Sequence, residues 1–360
     1  MIPHTHIEID FKALENNLKL IKQKAGNKKI QGVVKANAYG HGDFEIARAL
    51  ERLGVANLGV ARVNEGVRLR ELGITSEILV LGGAEENEFE PLINHKLKPV
   101  IYNEGIAEKL NDYLKFRDLK HQVHIKIDTG MHRLGIAHDK TEKFFNELKG
   151  YTNLEPEGIM SHFVAAGAKE AEWNVLQTER FKDALTNWKK IFKEAPKNIH
   201  IENSAGFFNF NLDFTNTVRL GIAIYGYGYA GLLPVLKLYS SVKDIKDVKK
   251  GETVSYGGWF RAQSDMKIAV VPVGYGDGFM RAGRKGSVMV NGEEAPIVSI
   301  ICMDYFMIDV TNINGIKIGD QVTIIGDTHD AGYWAKTSGT IVYEVLTLLN
   351  PRIRRKYNGA

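Results

Sequence analysis

"KIQGVVKANAYGHGDFEIARALERLGVANLGVAR", residues 29–62, decides the fold. It opens on a short run with β-branched residues, "KIQGVVK" (29–35), and passes a glycine-bearing turn. It continues as "DFEIARALERLG" (43–54), where apolar residues recur at three- and four-residue spacing, and then enters a second short run, "NLGVAR" (57–62). Strand, amphipathic helix and strand in that order make a parallel βαβ unit. The alternation goes on: "EILVLGG" (77–83), "KPVIYN" (98–103), "QVHIKID" (122–128), "EGIMSHF" (157–163), "NIHIENS" (198–204) and "TVRLGIAIYG" (217–226) read as strands, with helical patterns such as "NVLQTERFKDALTNWKKIF" (174–192) between them. Eight strands at this spacing predict an α/β fold with a closed (β/α)8, TIM-like barrel, with a doubly wound open sheet as the alternative.

Past residue 235 the pattern changes. "SVKDIKDVKKGETVSYG" (241–257), "KIAVVPVGYGDG" (267–278), "GSVMVNGEEAPIVS" (286–299) and "IKIGDQVTIIGD" (316–327) read as strands joined by glycine-bearing turns. Only the tail, "GTIVYEVLTLLNPRIRRKY" (339–357), looks helical again, and its basic cluster at 352–357 reads as solvated. The expected organisation is a barrel over 10–235 and a mainly β domain over 236–360, joined by an N-terminal strand within 1–9.

With 360 residues, two domains are the default expectation. A net charge of +4, from 47 basic and 43 acidic residues, gives no case for a nucleic-acid partner. A single cysteine, Cys302, excludes an internal disulfide framework and fits a reducing compartment. "MIPHTHIEID" lacks the features of a leader, and no apolar run is long enough to span a bilayer. These features point to a cytoplasmic enzyme or binding protein with no membrane partner.

Barrel enzymes carry their chemistry at the C-terminal ends of the strands. Those ends here read Lys35, Arg62, Tyr102, Lys126 with Asp128, His162, Ser204 and Arg219. Lys35 alone reads as an ordinary lysine at a strand end. Beside a phosphate site in the loops after strands seven and eight, it fits a Schiff-base lysine holding pyridoxal phosphate, provided the site keeps its amine neutral. "ENSAG" (202–206) and "RLGIA" (219–223) supply a hydroxyl and backbone amides suited to that phosphate. Arg219 reads either as an anion clamp or as the partner of a pyridine nitrogen. His162 reads as an ordinary strand-end histidine, or as a group that orients others near Arg219. "GYGYAG" (226–231) matches a dinucleotide fingerprint but is followed by "LLPVLKLYSSV", without the helix that fingerprint requires. The histidine pairs of "HTHIEID" (4–10) and "HQVH" (121–124) lack a third ligand at metal spacing, so no metal is expected.

Together these segments resemble the alanine racemases, fold-type III pyridoxal phosphate enzymes built from a barrel and a C-terminal β domain. "VVKANAYGHG" (33–42) is similar to that family's cofactor-lysine motif. "KIDTGMHRLG" (126–135), "HIENSAG" (200–206), "RLGIAIYG" (219–226), "GETVSYG" (251–257), "GYGDGFMR" (274–281), "ICMD" (301–304) and "VYEVL" (342–346) follow in the family's order. The resemblance implies interconversion of L- and D-alanine by two bases, Lys35 and Tyr256, to supply D-alanine for the cell wall. It implies that Lys35 carries the cofactor, and that Tyr39, Ser204, the amides of Gly221 and Ile222, and Tyr343 hold its phosphate. It places Arg219 at the pyridine nitrogen with His162 against it, and Arg133 at the substrate carboxylate. Tyr256 and Met303 would reach the site from the partner chain of a homodimer, and Lys126 matches a lysine often carbamylated. Gly167, Ile300 and Tyr305 stand where the family often has Asp, Arg and Gln, which bears on substrate access. A serine-accepting racemase and a barrel decarboxylase of basic amino acids remain as alternative readings.

Overall fold

The computed structural model describes residues 5–55 and 57–359, and the chain separates into two compact units. One comprises Leu18–Ala38 and Asp43–Ile224; the other comprises Met1–Asn17, Tyr39–Gly42 and Tyr225–Ala360. The described chain opens with β1 (His6–Asp10) and the helix Phe11–Ala25; residues 1–4, part of the expected N-terminal strand, lie outside the described residues.

In the first unit eight parallel strands run β2 (Lys29–Val33), β3 (Asn57–Val60), β4 (Glu77–Val80), β5 (Lys98–Ile101), β6 (His121–Asp128), then, past the two-residue β7 (Ile136–Ala137), β8 (Leu154–Met160), β9 (Asn198–His200) and β10 (Thr217–Leu220). β10 pairs with β2, and backbone bonds from Asn216 to Ile199 (3.2 Å) and from Arg219 to Glu202 (3.0 Å) bring β10 against β9. The parallel ring is therefore a near-closed barrel, not an open doubly wound sheet. Strands covered on both faces read as continuous apolar runs, as Leu58–Val60 and Ile78–Val80 do. The helix Glu172–Phe192 buries Phe181, Leu185, Trp188 and Ile191, and Trp188 meets the Phe145 ring edge-on at 5.4 Å. Each such side chain contributes about 1.5–3 kcal/mol over an exposed one. The buried set on the strands also holds Gln31, His124, Lys126, His200 and Arg219. Barrel interiors are usually filled by branched apolar side chains, so this polarity needs a reason.

Several strands stop earlier than their sequence suggests. β2 ends at Val33, β3 at Val60, β5 at Ile101, β8 at Met160, β9 at His200 and β10 at Leu220. Lys35, Arg62, Tyr102, His162 and Ser204 consequently sit just past strand ends, while Lys126, Asp128 and Arg219 remain within strands. The apolar pattern overruns because loop residues beyond a strand end are still buried, as Val34 is.

The second unit is built on a sheet of β11 (Leu236–Ser241), β12 (Asp244–Val248), β15 (Met266–Val271), β16 (Ser287–Val290), β17 (Glu293–Val298), β18 (Phe306–Asp309), β19 (Gln321–Ile325) and β20 (Arg354–Asn358), with β1 between β11 and β20; β13 (Thr253–Val254) and β14 (Phe260–Arg261) form a separate hairpin. β1 runs antiparallel to β11 (His6 opposite Tyr239) and parallel to β20 (His6 opposite Arg354). The tail thus corrects the expectation: helices Ala331–Ser338 and Val342–Leu348 form, but the basic cluster becomes a strand, not a helix or a solvated end. Asn350–Pro351 interrupts the helical pattern, and the free edge of β1 offers a ladder. The Arg355 guanidinium donates to the carbonyls of Gly40 (2.9 Å), Leu349 (2.7 Å), Asn350 (2.7 Å) and Ile353 (2.7 Å). Among the described residues no helix is long and apolar enough to cross a membrane.

Candidate active site

Lys35 leads into an unusual turn. Ala36, Asn37, Ala38 and Tyr39 take φ values of 52, 54, 50 and 54°, four consecutive residues in the left-handed region, none of them glycine. Each costs about 1–2 kcal/mol against its ordinary conformation, and such strain persists only where surroundings over-determine it. Ala38 donates to the Val34 carbonyl (2.8 Å), Asn37 Oδ1 accepts from Asp43 N (3.0 Å), and Glu65 Oε1 accepts from Ala36 N (2.7 Å). Glu65 is itself pinned, because its other oxygen accepts from the amides of Ala61 (2.7 Å) and Arg62 (3.1 Å). Lys35 itself stands just past the end of β2, at the barrel mouth. There burial, the Arg133 charge and the Arg219 charge push its ammonium below the ordinary lysine value, against the pull of Glu65.

Arg219, on β10, is buried across the mouth. It donates to His200 Nδ1 (3.1 Å) and His162 Nδ1 (3.1 Å), and to the carbonyls of His200 (2.8 Å), Ser161 (2.7 Å) and Ile201 (3.3 Å). Burial and the surrounding cations hold His162 down to about 2, so its neutral ring is free to accept from the guanidinium. Lys126, on β6, is lowered to about 8 by burial and by Arg133, Arg219 and Lys35. Four cationic side chains therefore gather at one end of the barrel, and Lys35, Lys126 and Arg219 are each lowered in part by the Arg133 charge. Three carboxylates offset part of this charge, Glu65 acting on Lys35, Asp128 on Lys126 and Glu202 on Arg219, and Glu202 is shared with Lys28 at 2.9 Å. A site of this charge calls for an anionic ligand.

Beside it, Ser204 opens the short helix Ser204–Asn209 after β9, and its Oγ accepts from the amides of Gly221 (3.3 Å) and Ala223 (3.4 Å). Ser204, Gly221 and the buried Ile222 thus lie in one cradle of hydroxyl and backbone beyond β9 and β10. Lys35, Lys126, Arg133, His162, Ser204, Arg219, Gly221 and Ile222 all belong to the barrel unit, and the exposed Arg133 reaches the others through its charge.

The other expected residues belong to the second unit. Tyr39 and Tyr343 face each other there, ring centroids 5.8 Å apart, and Tyr225 lies 5.1 Å from Tyr39. Burial raises the pKa of both Tyr39 and Tyr343, so both keep their phenolic protons. Tyr256 is 71% exposed and Met303 53% exposed. Ser255, at φ 68°, turns Tyr256 outward, and its hydroxyl lies 3.3 Å from Cys302 Sγ. Gly257 takes φ 73°, in the left-handed region that favours glycine. The backbones of Tyr275 and Gly276 donate to Cys302 O (3.1 Å) and Met303 O (2.8 Å), which ties "GYGDG" to "CMD". Tyr305 and Ile300 flank Tyr256, and exposed Gly167 has open space around its α-carbon. "GYGYAG" runs through turns into β11, with no helix after it.

Sequence reading met His124 only in the "HQVH" pair and missed its partners, His200, Glu157 and Lys98. His200 Nε2 lies 2.8 Å from His124 Nδ1, His124 Nε2 lies 3.4 Å from Glu157, and Lys98 lies 2.6 Å from the same carboxylate. The available signal was period 2 on β6, which puts His124 and Lys126 on the same face as one another.

A parallel barrel with a masked lysine in a cationic, phosphate-suited mouth, followed by a β domain, defines a class of barrel enzymes that act on small anionic substrates. Family models place the chain more narrowly: the alanine racemase N-terminal domain matches residues 9–228 and the C-terminal domain matches 235–357. The chain belongs to the alanine racemase family. It is 38% identical to the alanine racemase of Geobacter sulfurreducens over 98% of this chain and 97% of that one, and 39% identical to that of Thermodesulfovibrio yellowstonii over 97% and 96%. Among solved structures, the alanine racemase of D-cycloserine-producing Streptomyces lavendulae superposes with a TM-score of 0.95 at 28% identity, covering 100% of this chain and 98% of that one. The Bacillus anthracis alanine racemase with bound L-Ala-P gives 0.91 at 33%, covering 100% and 96%. These relatives favour the racemase reading over the decarboxylase and serine-racemase alternatives.

Proposed function

We propose that the protein interconverts L- and D-alanine with pyridoxal 5'-phosphate carried on Lys35, and that it supplies D-alanine for cell-wall synthesis from the cytoplasm. The observation that carries this is the barrel mouth, where the Lys35, Lys126, Arg133 and Arg219 cations outnumber the Glu65, Asp128 and Glu202 carboxylates that act on them. An anionic cofactor and an anionic substrate together offset that excess. The donor set fits the cofactor: a lysine of lowered pKa for its aldehyde, and Ser204 with the Gly221 and Ile222 backbone for its phosphate. Tyr39 and Tyr343, both protonated, would add donors to the phosphate, and Arg219, with His162 against it, would serve the pyridine nitrogen.

When bound, the cofactor withdraws electrons from the amino acid and so acidifies its α-hydrogen. Racemisation then needs a proton acceptor on each side of the α-carbon. Lys35 Nζ takes or returns the proton on one side, helped by the burial and neighbouring cations that favour its neutral form. The Tyr256 phenol serves the other side. The proposed active form is a homodimer in which Tyr256 and Met303, both exposed on the β unit, serve the site of a second copy of the chain. Arg133 holds the substrate carboxylate. Lys126, as a carbamate, would pair with Arg133. The barrel unit carries the cofactor lysine, and the β unit, with the N-terminal strand, lends Tyr256.

The test is loss of optical rotation from L- and D-alanine, with serine and lysine alongside, followed by borohydride reduction and peptide mapping. Cofactor fixed to the Lys35 peptide and turnover of both alanine enantiomers are expected. Label on any other lysine, or no α-proton exchange from either enantiomer, overturns the reading.

A further inference from the structure

The buried polar line behind Arg219 has a direction. A guanidinium can only donate hydrogen bonds, and an ionised carboxylate can only accept them. Between these two ends stand two imidazoles: Arg219 Nη1 to His200 Nδ1 (3.1 Å), His200 Nε2 to His124 Nδ1 (2.8 Å), and His124 Nε2 to Glu157 Oε1 (3.4 Å). One arrangement satisfies every step: both rings neutral, both carrying hydrogen on Nε2 and a lone pair on Nδ1. A proton added to His200 would set an N–H against the guanidinium, and one added to His124 would set it against His200.

The far end is built to stay an acceptor. Burial raises the Glu157 pKa, but hydrogen bonds from His124 and Lys98 outweigh it and leave the carboxyl at about 2. Lys98 sits between Glu157 (2.6 Å) and Glu77 (2.9 Å). Burial and Arg219 push His200 well below the ordinary histidine value, and burial lowers His124 as well, against the pull of Glu157. The line also needs Gly158: a Cβ there would stand 2.5 Å from His124 Nδ1.

We infer that His124 and Glu157 are positioning residues for Arg219: acting through His200, they hold both rings in a single tautomer and so fix the guanidinium at the barrel mouth. This rests on the proposed role of Arg219 toward the cofactor ring. It also accounts for Arg219, His200 and His124 in the polar interior of the barrel, because the line runs from the mouth through strands β10, β9, β6 and β8 in turn.

The test begins with the full-length protein as purified, labelled with 15N-histidine, and reads ring tautomers by NMR. His124 and His200 should both show Nε2–H and an unprotonated Nδ1, unchanged between pH 5.5 and 9. A hydrogen on Nδ1 of either ring, or titration within that range, overturns the inference whether or not the protein is a racemase. Three variants follow. Glu157→Leu and Gly158→Ala should mix the His200 tautomers, lower kcat about tenfold with KM little changed, and shift the visible absorption of bound pyridoxal phosphate. Glu157→Gln, which keeps an acceptor oxygen, should preserve all three. If Glu157→Leu does not fold, Gly158→Ala still reads the line without altering any charge. Mixed tautomers with unchanged kcat and absorption, or equal losses in Glu157→Gln and Glu157→Leu, refute the positioning role. An inactive wild type with both tautomers as described would instead reject the racemase reading.

Discussion

Replacing Lys126 by methionine should stabilise the protein, and more so at low pH than at high pH. The Lys126 ammonium is lowered from 10.5 to about 8, first by burial and then by Arg133 and Arg219. Between these values the unfolded chain holds a proton that the folded chain has released, so stability rises with pH from about 8 to 10.5. Below about 8 both states are protonated and the full penalty of burying the charge is present. A gap of about 2.5 corresponds to at most about 3 kcal/mol at pH 6.5, falling to about 1 kcal/mol at pH 9.5. Methionine fills a similar volume and carries no charge. Urea unfolding of both proteins at the two pH values should therefore show an advantage for Lys126→Met that shrinks by about 1–2 kcal/mol on going to pH 9.5. The same lysine offers a second readout. Only the neutral amine attacks the carbon of carbon dioxide, losing a proton as the C–N bond forms, and the resulting carbamate exchanges a repelled cation for an anion among Arg133, Arg219 and Lys35. Added bicarbonate should then stabilise the wild type and leave Lys126→Met unmoved. An advantage independent of pH, or a loss of stability in the variant at pH 6.5, would refute the electrostatic reasoning.

Mixing inactive Lys35→Ala with inactive Tyr256→Phe chains should restore one intact site per mixed dimer; mixed dimers as dead as their parents would show that Tyr256 does not act across the interface. Tyr256→Phe should suppress α-proton exchange from L-alanine in deuterated water far more than from D-alanine, with equal suppression counting against two one-sided bases. At the left-handed turn, Ala36→Gly should leave stability unchanged or raise it by up to about 1 kcal/mol, while Ala36→Val should lower it by about 1–2 kcal/mol; equal effects on the denaturation midpoint would deny the strain. Arg355→Met should destabilise by about 2–4 kcal/mol in the same assay, because it strands carbonyls that the guanidinium now satisfies.

The barrel was readable because its cause is local. A strand covered on both faces must be apolar along its length, and a helix on its back must be apolar every third or fourth residue, so "KIQGVV" and "DFEIARALERL" declare themselves. For the same reason Lys35, Lys126 and Arg219 could be placed at strand ends facing one way. The β domain was readable as strands, since alternation and glycine turns are short-range, but its order was not. Nothing in "RIRRKY" says that β1 will offer it an edge, and a basic hexapeptide without a partner is a solvated one. Nor does "ANAY" announce four left-handed residues, because alanine and tyrosine ordinarily avoid that region and tertiary partners such as Glu65, Val34 and Asp43 hold them there. The line from Arg219 to Glu157 lay furthest out of reach. His124 and His200 are separated by 75 intervening residues, and each alone is an ordinary buried histidine. Which nitrogen carries the hydrogen is set by a donor at one end and an acceptor at the other, brought into line by barrel closure. Periodicity is carried by neighbours along the chain, so it survives in the sequence; hydrogen-bond direction belongs to groups that meet only after folding, so the tertiary structure alone decides it.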